Sequence, residues 1–321
     1  MLSRVADSLY WMSRYLERAE HTARLLDVNL QSMLDYNPES AGDRWARLLN
    51  CLGAEPKDPE TTLTPYEVTR LLTFETSSET SISACIQIAR ENARQVRQQI
   101  SSEMWEQLNG LYLWVRNASM ESIWNDQPHN FLSSIKQGSH LFQGITDCTA
   151  SHGEGWHFIQ LGRFLERAAS TSRLLDSAFT AWDEHYETSV DASEYLEMVV
   201  LLKSSTAFEA YCKEYTADVR KERIAEFLLL NPTFPRSVAF CASGIKGSLD
   251  AISEMADVAK NCRANRLAGR LCALLDFTNI DEVFSGNLHH YLGDVQKQAA
   301  EIHNAVTQLY VSYPIEAALA S

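Results

Sequence analysis

Arg14-Tyr15-Leu16-Glu17-Arg18-Ala19-Glu20-His21-Thr22-Ala23-Arg24-Leu25-Leu26-Asp27 returns as Arg163-Phe164-Leu165-Glu166-Arg167-Ala168-Ala169-Ser170-Thr171-Ser172-Arg173-Leu174-Leu175-Asp176, 149 positions later. Ten of these 14 columns are identical without a gap: Arg14/Arg163, Leu16/Leu165, Glu17/Glu166, Arg18/Arg167, Ala19/Ala168, Thr22/Thr171, Arg24/Arg173, Leu25/Leu174, Leu26/Leu175 and Asp27/Asp176. Ordinary residue frequencies would give about one identity. A weaker echo at an offset of 156 pairs Leu72 with Leu228, Ser81 with Ser237, Ile82 with Val238 and Cys85 with Cys241. Both halves of the chain therefore use one order of elements, and a period this long is a duplicated bundle rather than a solenoid.

The spacing around the repeat is helical. Val5, Leu9, Met12, Leu16, Ala19, Ala23, Leu26 and Leu30 form an alternating four-three stripe over about 2–34, and Phe158, Leu161, Leu165, Ala168, Ser172, Leu175 and Phe179 form its second copy. Asn37-Pro38 and Gly42 are read as the end of the first helix. A short helix is expected over 43–52. Thr64-Pro65-Tyr66-Glu67 reads as a capped start with proline in the first turn. Further helices are expected over 64–74, 79–100, 103–124 and 130–150, then 191–216, 218–230, 236–260, 263–276 and 280–312, the last capped by Asn279 with Glu282. The predicted fold is all-α, a helical bundle of about ten to twelve helices formed by two diverged pseudo-repeats. One half is expected over 1–150, with a linker at 53–63. The other covers 151–313 and packs on the first, and 314–321 is a C-terminal tail.

Composition agrees with a packed globular chain. Of 321 residues, 45% are hydrophobic and 22% charged, with only eight prolines and 13 glycines. The net charge of −14 repels phosphate backbones, and no long Lys/Arg run offsets it, so a nucleic-acid partner is set aside. Seven cysteines stand singly without CxxC spacing, which points to reduced thiols. Met1-Leu2-Ser3-Arg4 leads into a helix bearing Asp7, unlike a signal peptide, and no apolar run nears the roughly 20 residues of a membrane span. A cytoplasmic location without membrane insertion is expected.

The charged residues divide into two groups. Arg14, Glu17, His21 and Arg24 share one helix face, with Arg18 beside it; Arg163, Glu166, Ser170 and Arg173, with Arg167, repeat the face. Solvated ion pairs would drift between diverged copies, so retained ones imply constrained charges. Two readings stay open: buried ion pairs that lock helices together, or a site for a ligand or partner. Glu17 and Glu166 are candidates for a catalytic base. The second group is Arg90, Glu91, Arg94 and Arg97. Its three arginines, spaced four and three apart, repel one another unless anions answer them. The anions could be Glu17 and Glu166, or the phosphate or carboxylate of a ligand. His152 and His157 do not share a helix face, and His289, His290 and His303 are equally loose, so no metal site is expected. No glycine-rich phosphate loop, nucleophile elbow or Cys–His signature is present. No cofactor is expected.

Three segments carry a resemblance: Leu2 to Glu20, Ala89 to Arg97 with Ile100-Ser101-Ser102-Glu103-Met104-Trp105-Glu106, and Phe164-Leu165-Glu166-Arg167-Ala168. They resemble the bacterial alpha-E domain family, named for its Glu-Arg helices, over nearly the whole chain. Ala169 and Ser170, against Glu20 and His21, are where the second copy departs. The resemblance implies a helical partner of a circularly permuted ATP-grasp ligase that makes amide or peptide bonds through an acyl phosphate. A transglutaminase-like protein or a proteasome-like peptidase from the same gene neighbourhood is also implied. In that role Arg14, Arg18, Arg90, Arg94, Arg163 and Arg167 would stabilise an anionic group. The competing expectations are an acyl- or aminoacyl-transferring enzyme built on the Glu/Arg cluster, and a pure scaffold in a peptidase–ligase assembly.

Overall fold

A computed structural model describes residues 1–33, 41–56, 58, 62–184, 192–216, 218–256 and 262–311. Asn37-Pro38, Pro59 and the tail 314–321 lie outside the described residues. Fifteen α-helices and no strand occur among the described residues. The first half holds α1 (Ser3–Ser32), α2 (Ala41–Leu52), α3 (Pro65–Phe74), α4 (Ile82–Gln95), α5 (Ser102–Arg116), α6 (Met120–Asn125) and α7 (Pro128–Thr149). After it come α8 (Glu154–Glu184), α9 (Ala192–Ser204), α10 (Phe208–Tyr215), α11 (Lys221–Leu230), α12 (Val238–Met255), α13 (Arg263–Asp276), α14 (Ile280–Gly286) and α15 (Leu288–Val306).

Several helices are shorter than the apolar spacing implies, because capping side chains interrupt stripes that run on. Gly42 is not a stop but sits in the first turn of α2. Ser81 accepts a hydrogen bond from the Ala84 amide and starts α4 three residues late. The helix expected over 103–124 is two. Asn117 ends α5, and Ser119 opens α6 through a reciprocal box with Ser122. Thr206, in the left-handed region at φ 53°, separates α9 from α10. Asn287 accepts from the His290 amide and divides the last expected helix into α14 and α15. Each cap satisfies amides that an uninterrupted helix would have bonded internally. Thr64 and Asn279 cap α3 and α14 as read from sequence.

Packing follows the repeat. α1 lies against α4, α7 and α8; α8 lies against α1, α12 and α15. The pairs α4–α5 and α5–α7 recur as α12–α13 and α13–α15. Between the halves, α2 packs on α8 while α9 packs on α1. The stripes of α1 and α8 are buried from Val5 to Leu26 and from Phe158 to Phe179, within one apolar core that spans both halves. The two long helices approach closely at Gly162, where an added Cβ would lie 2.4 Å from the Tyr10 carbonyl oxygen. Among the described residues no helix is long and apolar enough to cross a membrane, and all seven cysteines are free thiols.

Candidate functional site

Glu17 and Glu166 face each other's helices at the centre of the bundle, both 1% exposed. On either helix the glutamate points across the contact, and the arginine one residue later reaches to the opposite glutamate. Arg18 donates from Nε to Glu166 Oε1 at 2.7 Å and from Nη2 to Oε2 at 3.2 Å. Arg167 donates from Nε to Glu17 Oε1 at 2.7 Å and from Nη2 to Oε2 at 2.9 Å. Both are two-pronged guanidinium–carboxylate pairs, the geometry that suits arginine and not lysine. Arg14 adds a bond to Glu166 at 2.8 Å.

The outer prongs tie the lock to the next layer in the same symmetric way. Arg18 Nη1 donates to the Glu79 carbonyl and Arg167 Nη1 to the Pro235 carbonyl. Thr22 and Thr171 hydroxyls donate to the Thr80 and Arg236 carbonyls at 3.1 and 3.0 Å. The thiols of Cys85 and Cys241 point at the Glu79 and Pro235 carbonyls as well. These partners differ by 149 positions on the long helices and by 156 at the starts of α4 and α12. The two sequence echoes meet at one set of hydrogen bonds. The repeated acids also match: Asp27 accepts from Lys136 at 2.5 Å and sits 2.8 Å from His129, while Asp176 sits 2.5 Å from His289.

Symmetry breaks on one side. Arg236 donates to Glu20 Oε2 at 2.7 Å and to Glu17 Oε1 at 3.4 Å, and Arg24 also pairs with Glu20. Half-exposed His140 closes this group, 3.4 Å from both Arg24 and Glu20. The second copy has Ala169 where Glu20 stands, and Thr80 occupies the position that matches Arg236. Arg173, the counterpart of Arg24, donates only to the Ala169 carbonyl among the described residues. Arg163, the counterpart of Arg14, turns from Glu17 to Gln143 and Gln160. Sequence reading missed Glu20 and Arg236. The available signal was two columns in which the copies differ in charge by complementary amounts.

Burial opposes the charge on both central carboxylates, but their arginines outweigh it. Arg167 and Arg236 hold Glu17 well below the usual carboxylate range, and Arg14 and Arg18 bring Glu166 down to about 2. Burial lowers Arg24 to about 9, with Arg236 adding repulsion, and lowers Arg236 to about 10. Among the described residues, Arg14, Arg18, Arg24, Arg167 and Arg236 share Glu17, Glu20 and Glu166, five cations to three anions. Burial, then Arg236 and Arg173, lowers His21 from 6.5 to about 3. Burial raises Cys85 and Cys241 to about 12, which makes them inert thiols.

These shifts set an expected acid response. Neutral His21 in the fold means that folding must expel a proton once the unfolded chain binds one. Stability is therefore full above about pH 6.5 and falls as pH drops from there toward 3. Glu17 and Glu166, depressed in the fold, deepen the loss below about pH 4.5, the ordinary value from which they depart. Unfolding free energies from urea melts between pH 4.5 and 8 should decline from about 6.5 downward, by at most roughly 1.4 kcal/mol per pH unit for each proton. His21→Gln should flatten the upper part. An unchanged slope between pH 5 and 6.5 in that variant would contradict the assignment.

The second arginine group lies elsewhere. Neither Glu17 nor Glu166 answers it. Glu91 does, pairing with both Arg90 and Arg94, and Arg90 also donates to Asn109 at 3.1 Å. Arg97 donates to Ser102. Guanidinium groups and rings alternate from α4, through Arg97 just beyond it, to α5: Arg97 and Arg90 stand 5.7 and 5.3 Å from the Trp105 ring, and Arg90 and Arg116 stand 5.1 and 5.9 Å from Tyr112. The matching second-half positions, Lys246, Asp250 and Ser253 on α12, do not repeat it. Among the described residues, no three His, Cys, Asp or Glu side chains are grouped to hold a metal ion.

A family model, Alpha-E, described as a predicted alpha-helical domain with a conserved ER motif, matches residues 1–311. No curated protein and no solved structure matches the chain.

Proposed function

The chain belongs to the Alpha-E family, and from that premise we propose that it is a helical partner subunit without hydrolytic chemistry of its own. Its Glu–Arg motif is an internal lock that holds two long helices rigid while outer faces meet a ligase. The observation that carries this reading is the reciprocal pair Glu17–Arg167 and Glu166–Arg18, buried between the halves. A carboxylate held below its usual range by two guanidinium groups, and shut from solvent, is a poor proton acceptor near neutral pH. That weighs against Glu17 or Glu166 as the base of an acyl-transferring enzyme.

The ligase is of the circularly permuted ATP-grasp type, forming an amide or peptide bond through an acyl phosphate. Two features favour an anionic partner or intermediate. Arg94 holds its side chain 62% exposed on an outer face of a chain whose net charge is −14. The Arg97–Trp105–Arg90–Tyr112–Arg116 ladder presents the residue types that dominate interface hot spots. A transglutaminase-like protein or proteasome-like peptidase would act in the same bacterial system.

Co-expression with a circularly permuted ATP-grasp ligase from the same genome is the test. The expected result is co-purification, with substrate-dependent ADP release that requires this chain. Arg90→Glu with Arg94→Glu should weaken the complex by about tenfold or more, with a matching loss of its salt dependence. If the ligase alone makes the same product at the same rate, the reading is wrong. Co-purification without any effect on turnover would instead favour a pure scaffold.

A further inference from the structure

A cavity of about 100 Å³ opens where α1, α2, α8 and α9 meet, two helices from each half. Most of its walls are apolar: Leu25, Leu48, Leu174, Trp182, Val200 and Leu201. Buried Arg44, which donates to Asn29 Oδ1 at 3.0 Å, makes one side polar, and a charged pair stands at the rim. Arg47 from α2 donates to Glu197 Oε1 of α9 at 3.1 Å, and Trp182 Nε1 donates to Oε2 at 2.9 Å. The Arg47 and Glu197 side chains are 33% and 27% exposed, so both reach solvent at the mouth.

This pair has capacity to spare. Among the described residues Arg47 uses one of its five N–H donors, and a carboxylate with two partners retains lone pairs for a third. An apolar pocket with a few convergent polar groups at one side is the usual form of a small-ligand site, and gaps between bundle helices are a usual place for it. Size narrows the occupant. A dry cavity of about 150 Å³ accepts benzene, so this smaller one suits a branched aliphatic group of roughly four carbons.

We propose that this cavity binds a leucine-sized residue bearing a free carboxylate, either a free amino acid or the C-terminal residue of a peptide. The aliphatic side chain enters the apolar floor. Arg47 takes the carboxylate in two-pronged fashion, and Glu197 accepts from the nitrogen on the ligand's Cα. The proposal does not depend on the ligase reading: a positive result here stands whether or not an ATP-grasp enzyme binds.

Calorimetric titration of the full chain tests it. The probes are L-leucine, isovalerate, isoamylamine, and a short peptide ending in leucine beside its C-terminal amide. L-leucine or the free-acid peptide should bind with a Kd of about 1 mM or tighter. Isoamylamine and the peptide amide, which lack the carboxylate, should give no saturable heat. Tighter binding of the peptide identifies a chain end as the source, and tighter binding of leucine identifies the free amino acid. Arg47→Gln should weaken binding by about tenfold or more. Ala178→Leu, which fills the cavity wall, should abolish it with the melting temperature retained. Val200→Phe fills the opposite wall should Ala178→Leu fail to fold. The proposal fails if neither free-acid probe saturates up to about 10 mM. It also fails if a folded cavity-filling variant binds as the parent does.

Discussion

Glu17→Gln should lower the free energy of unfolding by about 3–5 kcal/mol, the range for removing one partner of a buried ion pair. The substitution keeps the size and shape of the side chain, so packing changes little. What it removes is the anion between Arg167 and Arg236, which donate to Glu17 from α8 and from the start of α12. The residual amide keeps one acceptor oxygen where the carboxylate had two and neutralised charge, and Arg167 stays buried without a counter-ion. Glu166→Gln should behave alike, since Arg14 and Arg18 depend on it. Urea denaturation followed by circular dichroism gives both values. A loss under about 1 kcal/mol, the worth of an exposed pair, would show that water relaxes the network. A double-mutant cycle with Arg167→Gln sharpens the result. Removing both partners should cost less than the sum of the single losses, because no charge is then left stranded.

Gly162→Ala should cost roughly 2–3 kcal/mol, although alanine is the better helix former by about 1 kcal/mol. The new methyl would sit 2.4 Å from the Tyr10 carbonyl oxygen, and a backbone atom cannot swing aside. α1 and α8 must separate instead, which stretches the Arg18–Glu166 and Arg167–Glu17 bonds that cross the same contact. Gly110→Ala on α5 and Gly247→Ala on α12 are the controls. Nothing lies within 4 Å of a Cβ at either position, so each should stabilise by up to about 1 kcal/mol. Thermal midpoints of the three variants decide the matter. An unharmed Gly162→Ala would mean that the helices do not pack this closely.

The all-α architecture and its duplication were legible in sequence because apolar spacing and repeated side chains are local signals. The stripes from Leu9 to Leu26 and from Leu161 to Leu175 are core throughout. Helix ends were less legible. Val115 and Ile123 continue one spacing across Asn117 to Ser119, so the capping hydroxyls that divide α5 from α6 were masked by a stripe that passes over them. For the charged network, sequence supplied Arg14, Glu17, Arg18, Arg24, Glu166 and Arg167 but not their pairing. Which arginine meets which glutamate depends on how two helices cross, and no single helix records that. Arg236 lies 216 positions from Glu20, its nearest partner, in a column of the second echo that the copies do not share. Arg90 and Arg94 are answered by Glu91 beside them rather than by Glu17 or Glu166, and Arg97 donates to Ser102.

The reciprocity of the lock has an evolutionary reading. A contact in which a glutamate meets the other element's arginine, while its own neighbour returns the favour, is the signature of an isologous two-fold interface. One polypeptide here encloses the seam of a dimer. In a dimer of identical chains, any change at the seam appears twice. Joined copies escape that constraint, and the pairs Glu20/Ala169 and Arg236/Thr80 record the escape. An acid and a base stand together on one flank while the other has neutral residues, an asymmetry that no two-fold assembly of one half could hold.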